Sequence, residues 1–466
     1  MIKDRDKSQD WDWVVILIIS LLLIMGIINI YSAAYNPEHP FLFDLKTLYG
    51  KQIMWIGIGV FLGFVIALID AKNIRLLTPA AYLVTICLLI VVLFTKPING
   101  ARSWLGVGSF GIQPSEFSKM TTALMLAYVI SQTRGKFMSN RTMFASIMVI
   151  LLTMMLVLIQ NDTGTFLVFT AFFFVLYREG ITFDPIILFV LNKMFGLKLK
   201  QTWMGVHFIP VAFVVILYSI TILFFTDSYH TYSFLPGYIV PGWALLIALI
   251  SIIAIIILVM NQLLFSQRIR KKMRNLVLLI YVLAIGFIGA VSYVYIDVLQ
   301  SHQVDRIDLW LGKIQDQDGK DYNRNRALAA VGSGKFSGVG YQEAILSSPK
   351  SKHVPESETD FIFSVFAEEW GFLGSFVLVV LFTILLVRII IIAERQRDKF
   401  ARVYANSVAM ILFYHFFINI GMNIGIVPVI GIPLPFFSYG GSSMMSFLIM
   451  IFILLKLDSQ RKEILA

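Results

Sequence analysis

About twelve stretches of roughly twenty apolar residues run along this chain, and each is long enough to cross the ~30 Å of hydrocarbon in a bilayer. They lie near 14–35, 52–70, 76–95, 116–133, 142–159, 163–180, 206–226, 239–262, 276–298, 360–392, 403–426 and 441–457. Lipid cannot satisfy open backbone groups, and these runs lack the alternation of a barrel strand, so they read as helices. The expected fold is an all-α polytopic membrane protein, one domain over 1–466, with about twelve transmembrane helices. Only 14% of the 466 residues are charged, against about 25% in soluble domains, and the mean hydropathy is +0.80.

The net charge of +10 invites a nucleic-acid reading, but the distribution of the cations argues against one. With both termini in the cytoplasm, short basic segments fall on the inner side, including the tail 1–13. The outer cations gather mainly in one long loop, 299–357, so the positive-inside rule sets the orientation. The run "RIRKKMR" (268–274) reads as a topology anchor on anionic lipid. The first apolar run is long and followed only by a weak cleavage candidate, "YSAA", so it reads as a retained helix. Cys87 is the single cysteine, so no intrachain disulfide forms.

Two regions interrupt the regular succession of spans. The loop 299–357 is rich in charge, and places four glycines in nine residues (332–340), which suits tight turns. It is not a phosphate-cradling loop, because GK[ST] is absent. On its own it reads as a flexible connection or a functional segment. The runs 206–226 and 239–262 form an additional transmembrane hairpin with few charges, suited to structure or partner docking rather than chemistry.

Ionisable residues in or beside spans are costly and mark pairs or sites. In "NGARSWLGVGSFGIQPSEFSK" (99–119), Glu116 and Lys119 stand three apart on one helical face and can pair. They either fix helix packing or, with Arg102 and Gln113 close by, help hold a phosphate group. Pro114 and Ser115 mark a helix start whose free N–H groups attract anions.

Asp360 opens the span after the long loop. Thr359 and Asp360 suit an N-cap, and Asp360 in a wet cavity also suits a general base on a sugar hydroxyl. Glu368 and Glu369 lie two turns deeper, where one is expected to pair with a basic residue across the bundle. Asp162, in "QNDTGT" (160–165), reads first as a helix cap. Three prolines and five glycines in 419–445 rule out a regular helix from about 427 to 441. Broken backbone at that depth must line protein or a cavity. The six histidines show no paired metal spacing, and neither a nucleophile elbow nor a reactive cysteine context is present.

"NGARSWL", "QPSEFSK", "ETDFIFSVFAEEWG" and "GIPLPFFSYGGSS", in that order, resemble the shape, elongation, division and sporulation family, which includes the RodA and FtsW types. The resemblance covers nearly the whole chain. It implies an inverting peptidoglycan glycosyltransferase that polymerises lipid II at the outer face of the bacterial inner membrane, during elongation and shape maintenance. It assigns Asp360 as general base, and Arg102, Trp104, Gln113, Glu116, Lys119, Thr359, Ser438 and Tyr439 to substrate binding. It implies ten core helices plus the extra hairpin, and a class B penicillin-binding protein and other elongation-complex proteins as partners. No cofactor or protein-bound metal is expected, beyond a divalent cation (Mg or Mn) with the pyrophosphate. "AEE" and "GYQEAILSSPKSKHVPE" are closer to the RodA type. The chain departs from the family pattern at Glu358, usually histidine, at Asn323 and Arg326, usually glutamines, and in "QNDTGT". The alternatives are a lipid II flippase, or an FtsW-like division polymerase.

Overall fold

The computed structural model describes residues 11–98, 100–107, 110–133, 140–180, 207–226, 231–235, 238–264, 266–313, 322–347 and 354–461. The expected tail 1–13 therefore lies almost wholly outside the described residues. The chain divides into two compact units, 1–185 with 321–466, and 186–320.

The first unit begins with α1 (Trp13–Ala33), α2 (Leu48–Leu68) and α3 (Ala71–Val92). A short antiparallel pair, β1 (Leu105–Val107) and β2 (Phe110–Ile112), leads into α4 (Pro114–Ser131), with Pro114 in the first turn, where its missing N–H costs nothing. Then come α5 (Asn140–Ile159), α6 (Thr163–Phe169) and α7 (Ala171–Arg178). The second unit holds α8 (Phe208–Phe225), β3 (Thr231–Leu235), β4 (Tyr238–Pro241), α9 (Gly242–Leu264), α10 (Gln267–Tyr293), a π turn over Val294–Val298 and α11 (Ser301–Trp310). The first unit resumes with α12 (Tyr322–Ser333), α13 (Ile362–Arg395), α14 (Lys399–Asn423) and α15 (Gly441–Ser459).

Among the described residues ten helices are long and apolar enough to cross a membrane. The two other expected spans differ for a visible reason. The run 116–133 is α4, whose serines, threonines, Glu116 and Lys119 lower its hydropathy, and the run 163–180 is split at Thr170 into α6 and α7. In the first unit α14 packs against both α4 and α13, while α15 lies along α2 and α4. These two helices are the most enclosed of the candidate spans. At the end of this unit opposite Asp360, charges close on one another. Asp12 caps α1 and accepts from Arg388 and Arg395, and Asp458 accepts from Arg395, Gln396 and Arg461. That network ties α1, α13 and α15 together.

In the second unit the expected hairpin is present as α8 and α9, joined through β3 and β4, and it is packed on α10 rather than standing alone. Tyr218 stacks on Phe287 at 5.7 Å, and Ser251 and Tyr281 share a hydrogen bond of 2.8 Å.

The long loop is not a flexible connection where it is described. It carries α11 and α12, and the segment 334–347 is inserted into a break in α13. At Gly371 the backbone leaves the helical region (φ 62, ψ −160), freeing two carbonyls above the break and two N–H groups below it. Val339 and Gly340 donate to the carbonyls of Glu368 and Glu369, while Phe372 and Leu373 donate to those of Lys335 and Phe336. The carboxylates finish the job. Glu368 accepts from the backbone of Ile345, Leu346 and Ser347 and from the Ser347 hydroxyl, and Glu369 accepts from Ser32 and the Gln342 N–H. The expectation that one of these acids pairs with a base is therefore corrected: main-chain donors bind both.

This insertion explains the glycine density. Gly338 sits at φ +83, and a Cβ there would lie 2.0 Å from the Glu369 carbonyl oxygen. Gly338→Ala is expected to cost at least about 1–3 kcal/mol, from overpacking plus backbone strain, read as a lower melting temperature of the purified protein. An unchanged melting temperature would show that the loop is not locked into the break.

Candidate functional site

The segment between α14 and α15, residues 424–440, is irregular as the proline and glycine content requires. Buried side chains satisfy its backbone. Asn419 donates to the Ile432 carbonyl at 2.7 Å, and His415 Nδ1 lies 3.1 Å from the Pro433 carbonyl. Ser438 Oγ accepts from the Leu434 N–H and donates to the Thr359 carbonyl. The Gln52 amide donates to the Ser438 carbonyl and accepts from the Gly440 N–H. Phe436 is held at φ +61 in a fully packed setting, a strained conformation that only such surroundings maintain.

Asp360 is built onto this segment. Its main-chain carbonyl accepts from both Asn419 Nδ2 (3.0 Å) and Asn423 Nδ2 (3.1 Å). Its carboxylate rests against Gly431, where a Cβ would approach Oδ2 to 3.2 Å. The capping expectation is corrected, because α13 begins at Ile362 with Phe361 as N-cap and no side-chain cap bond. Neither Thr359 nor Asp360 is that cap. Thr359 and Tyr439 instead lock the two strands of backbone together, through the Ser438 bond to Thr359 and a Tyr439 N–H bond of 2.9 Å to the Glu358 carbonyl.

Glu116 and Lys119 do pair, at 2.9 Å, and they do so in the interior, at 4% and 1% exposure. Lys119 Nζ also donates to His415 Nε2 at 2.8 Å and lies 5.3 Å from the centre of the Phe447 ring. With Nε2 accepting, His415 carries its proton on Nδ1 and donates it to Pro433. A line of contacts thus runs from Glu116 through Lys119 and His415 to the stretch that backs Asp360. Arg102 does not join it. That side chain is exposed, with its guanidinium on the Leu93 carbonyl, so the expectation that Arg102 and Lys119 meet at one anion is corrected. The reason is energetic: an ammonium this deep persists only with a carboxylate and further partners around it.

Gln113 and Ser115 converge on Asp162, whose Oδ2 accepts from both side chains at 2.9 and 3.0 Å while Oδ1 caps α6 through the Thr165 N–H. Asp162 is therefore a cap and a cross-brace to α4. Trp104 is 39% exposed and lies over Gly111 across the β1–β2 pair. Beside it an apolar groove of about 590 Å3 runs between α3 and α4, lined by Val84, Leu88, Leu105, Ile112 and Phe117. Among the described residues, no three of His, Cys, Asp and Glu gather as a metal-binding group.

Sequence reasoning missed His415, Asn419, Asn423 and Gln52. A signal was there: His415, Asn419 and Asn423 recur every four residues on one face of an apolar helix.

The family description "Cell cycle protein", covering FtsW, RodA and SpoVE, matches residues 12–238 and 243–463. This chain belongs to the shape, elongation, division and sporulation family. Its relatives in that family include the peptidoglycan glycosyltransferase RodA of Treponema pallidum, 29% identical over 97% of this chain and 98% of that one. The stage V sporulation protein E of Bacillus subtilis is 28% identical over 97% and 98%, and the peptidoglycan glycosyltransferase MrdB of Escherichia coli 27% over 99% and 98%. Among solved structures, a chain of a peptidoglycan synthase complex described as coordinating polymerization and crosslinking aligns with TM-score 0.64 at 21% identity, over 97% and 98%. The rod shape determining protein RodA of Thermus thermophilus aligns with TM-score 0.56 at 20% identity, over the same shares.

Lys119→Met is expected to cost about 3–5 kcal/mol by stranding the Glu116 carboxylate, and the double variant Glu116→Leu/Lys119→Met to recover part of that loss. Melting curves of both variants decide it; equal losses would mean the two charges are not coupled.

Proposed function

We propose that this chain is a membrane-embedded peptidoglycan glycosyltransferase that polymerises lipid II, with Asp360 as its general base. What carries this reading is how Asp360 is held. The backbone is gripped by two buried asparagines and the carboxylate rests on Gly431, so the group is oriented without serving as the cap of α13. The names of the relatives, peptidoglycan glycosyltransferases in Treponema and Escherichia, support the same chemistry.

In this mechanism the acceptor's 4-hydroxyl attacks the donor's anomeric carbon from the face opposite the leaving group, giving inversion. As the new C–O bond forms, Asp360 takes the hydroxyl proton, and the bond from the anomeric carbon to undecaprenyl pyrophosphate breaks. Arg102, exposed at the same end of the unit, supplies positive charge for the departing pyrophosphate. Gln113, through Asp162, fixes the start of α4, and Trp104 precedes Leu105, which lines the groove that we assign to the polyprenyl chain. Glu116 and Lys119 act by holding the 431–438 stretch through His415 rather than by touching the phosphates, and Ser438, Tyr439 and Thr359 keep that stretch locked beside Asp360. A divalent cation would arrive with the pyrophosphate.

We place the reaction on the extracytoplasmic face of the bacterial inner membrane, by the positive-inside rule, and assign the chain to elongation, by its RodA-like loop. A class B penicillin-binding protein is the expected partner, in keeping with a peptidoglycan synthase complex, described as coordinating polymerization and crosslinking, that has a chain of this fold. A flippase would need ionisable groups along an inner path, whereas Asp12, Arg388, Arg395 and Asp458 are paired with one another.

Asp360→Asn preserves shape and the backbone carbonyl that Asn419 and Asn423 bind. Glycan synthesis from purified lipid II is expected to fall about 10²–10⁴-fold with an unchanged melting temperature. Retained synthesis would remove Asp360 as the base.

A further inference from the structure

A cleft of about 750 Å3 is lined on one side by residues 354–358, which end two positions before Asp360, and nothing in the mechanism above uses it. One wall is the connection between α1 and α2, with Asn36, His39, Lys46 and Thr47; the other includes Glu356 and Glu358. Its size falls within the roughly 300–1,000 Å3 range of small-molecule sites.

Both walls are built rather than loose. Thr47 caps α2 through the Gly50 N–H, and the Tyr49 hydroxyl donates to the His39 carbonyl. His39 Nδ1 pairs with Asp44 at 2.7 Å, and Asp44 also accepts from the Lys46 N–H. The facing wall is tied to the catalytic stretch, since the Glu358 carbonyl accepts from Tyr439 and Glu358 stands two residues before Asp360.

The charges decide what fits. His39 is paired with Asp44, so the lining offers Lys46 on one wall and two carboxylates, Glu356 and Glu358, on the other. Two carboxylates repel a pyrophosphate, so the cleft is not the leaving-group site. Burial, with the charge of Glu356 adding to it, raises the carboxyl of Glu358 above its ordinary range, the environment of an acid that gains from a cation. The substrate proposed above carries both an ammonium and carboxylates in one part only, its peptide stem.

Resting on the polymerase reading, we infer that this cleft is a subsite for the zwitterionic peptide stem of the lipid-linked substrate, with Glu358 and Glu356 facing its ammonium and Lys46 a carboxylate. Glu358 is the specificity-determining residue.

The test uses the full-length protein and two forms of lipid II, one with the free side-chain amine on the stem and one with that amine N-acetylated. The wild type is expected to show a KM about three- to tenfold higher for the acetylated form, the worth of one solvent-screened hydrogen bond at a half-buried site. Glu358→Gln should erase that difference by raising KM for the amine form, Glu358→Asp should restore part of it, and Glu358→His should reverse the preference. Lys46→Ala should raise KM for both forms. Equal KM values in the wild type, or a Glu358→Gln loss that falls equally on both forms, would overturn the stem subsite while leaving polymerisation standing. No glycan from either form would overturn the polymerase reading, and this inference with it.

Discussion

Seventeen residues of irregular backbone between α14 and α15 stand where a regular helix would satisfy itself, and the polar groups they expose have to be answered by side chains. Asn419 Nδ2, His415 Nδ1 and the Gln52 amide answer from the helices and Ser438 Oγ from within the segment, each meeting main chain. Those same bonds carry Asp360 and Thr359 into place from a segment some sixty to eighty residues away in sequence. The architecture of the site follows from that requirement, because a broken segment that must be braced from all sides becomes the most firmly positioned part of the unit.

The Glu116–Lys119–His415 line belongs to the same requirement. A buried ammonium is stable only when its surroundings are already fixed, so its presence makes the packing of α4 on α14 specific at that level. Charges at the far end of α1, α13 and α15 do for that end what the brace does for the other.

Much of this was legible from the residues alone. Ten of the twelve apolar runs are candidate spans among the described residues, the three-residue spacing of Glu116 and Lys119 announced their pairing, and three prolines with five glycines announced the break before α15. Reading failed where partners are distant in sequence. His415 lies 296 residues from Lys119, and nothing local to either says that they meet. Local rules also misled at Asp360, a good capping residue whose helix starts two positions later with a phenylalanine as its N-cap. Glu368 and Glu369 looked like half of an ion pair because an acid in a span usually is one. Their partners are main-chain N–H groups, which have no signature in a sequence.

The insertion of 334–347 into the break at Gly371 has a mechanical corollary. Lifting that segment away would strip the Glu368 carboxylate and four main-chain groups within α13 of their partners at once, and leave Glu369 with Ser32 alone. The segment and the helix therefore shift together or not at all, and a force applied to the former is delivered, almost without slack, to the break in the latter.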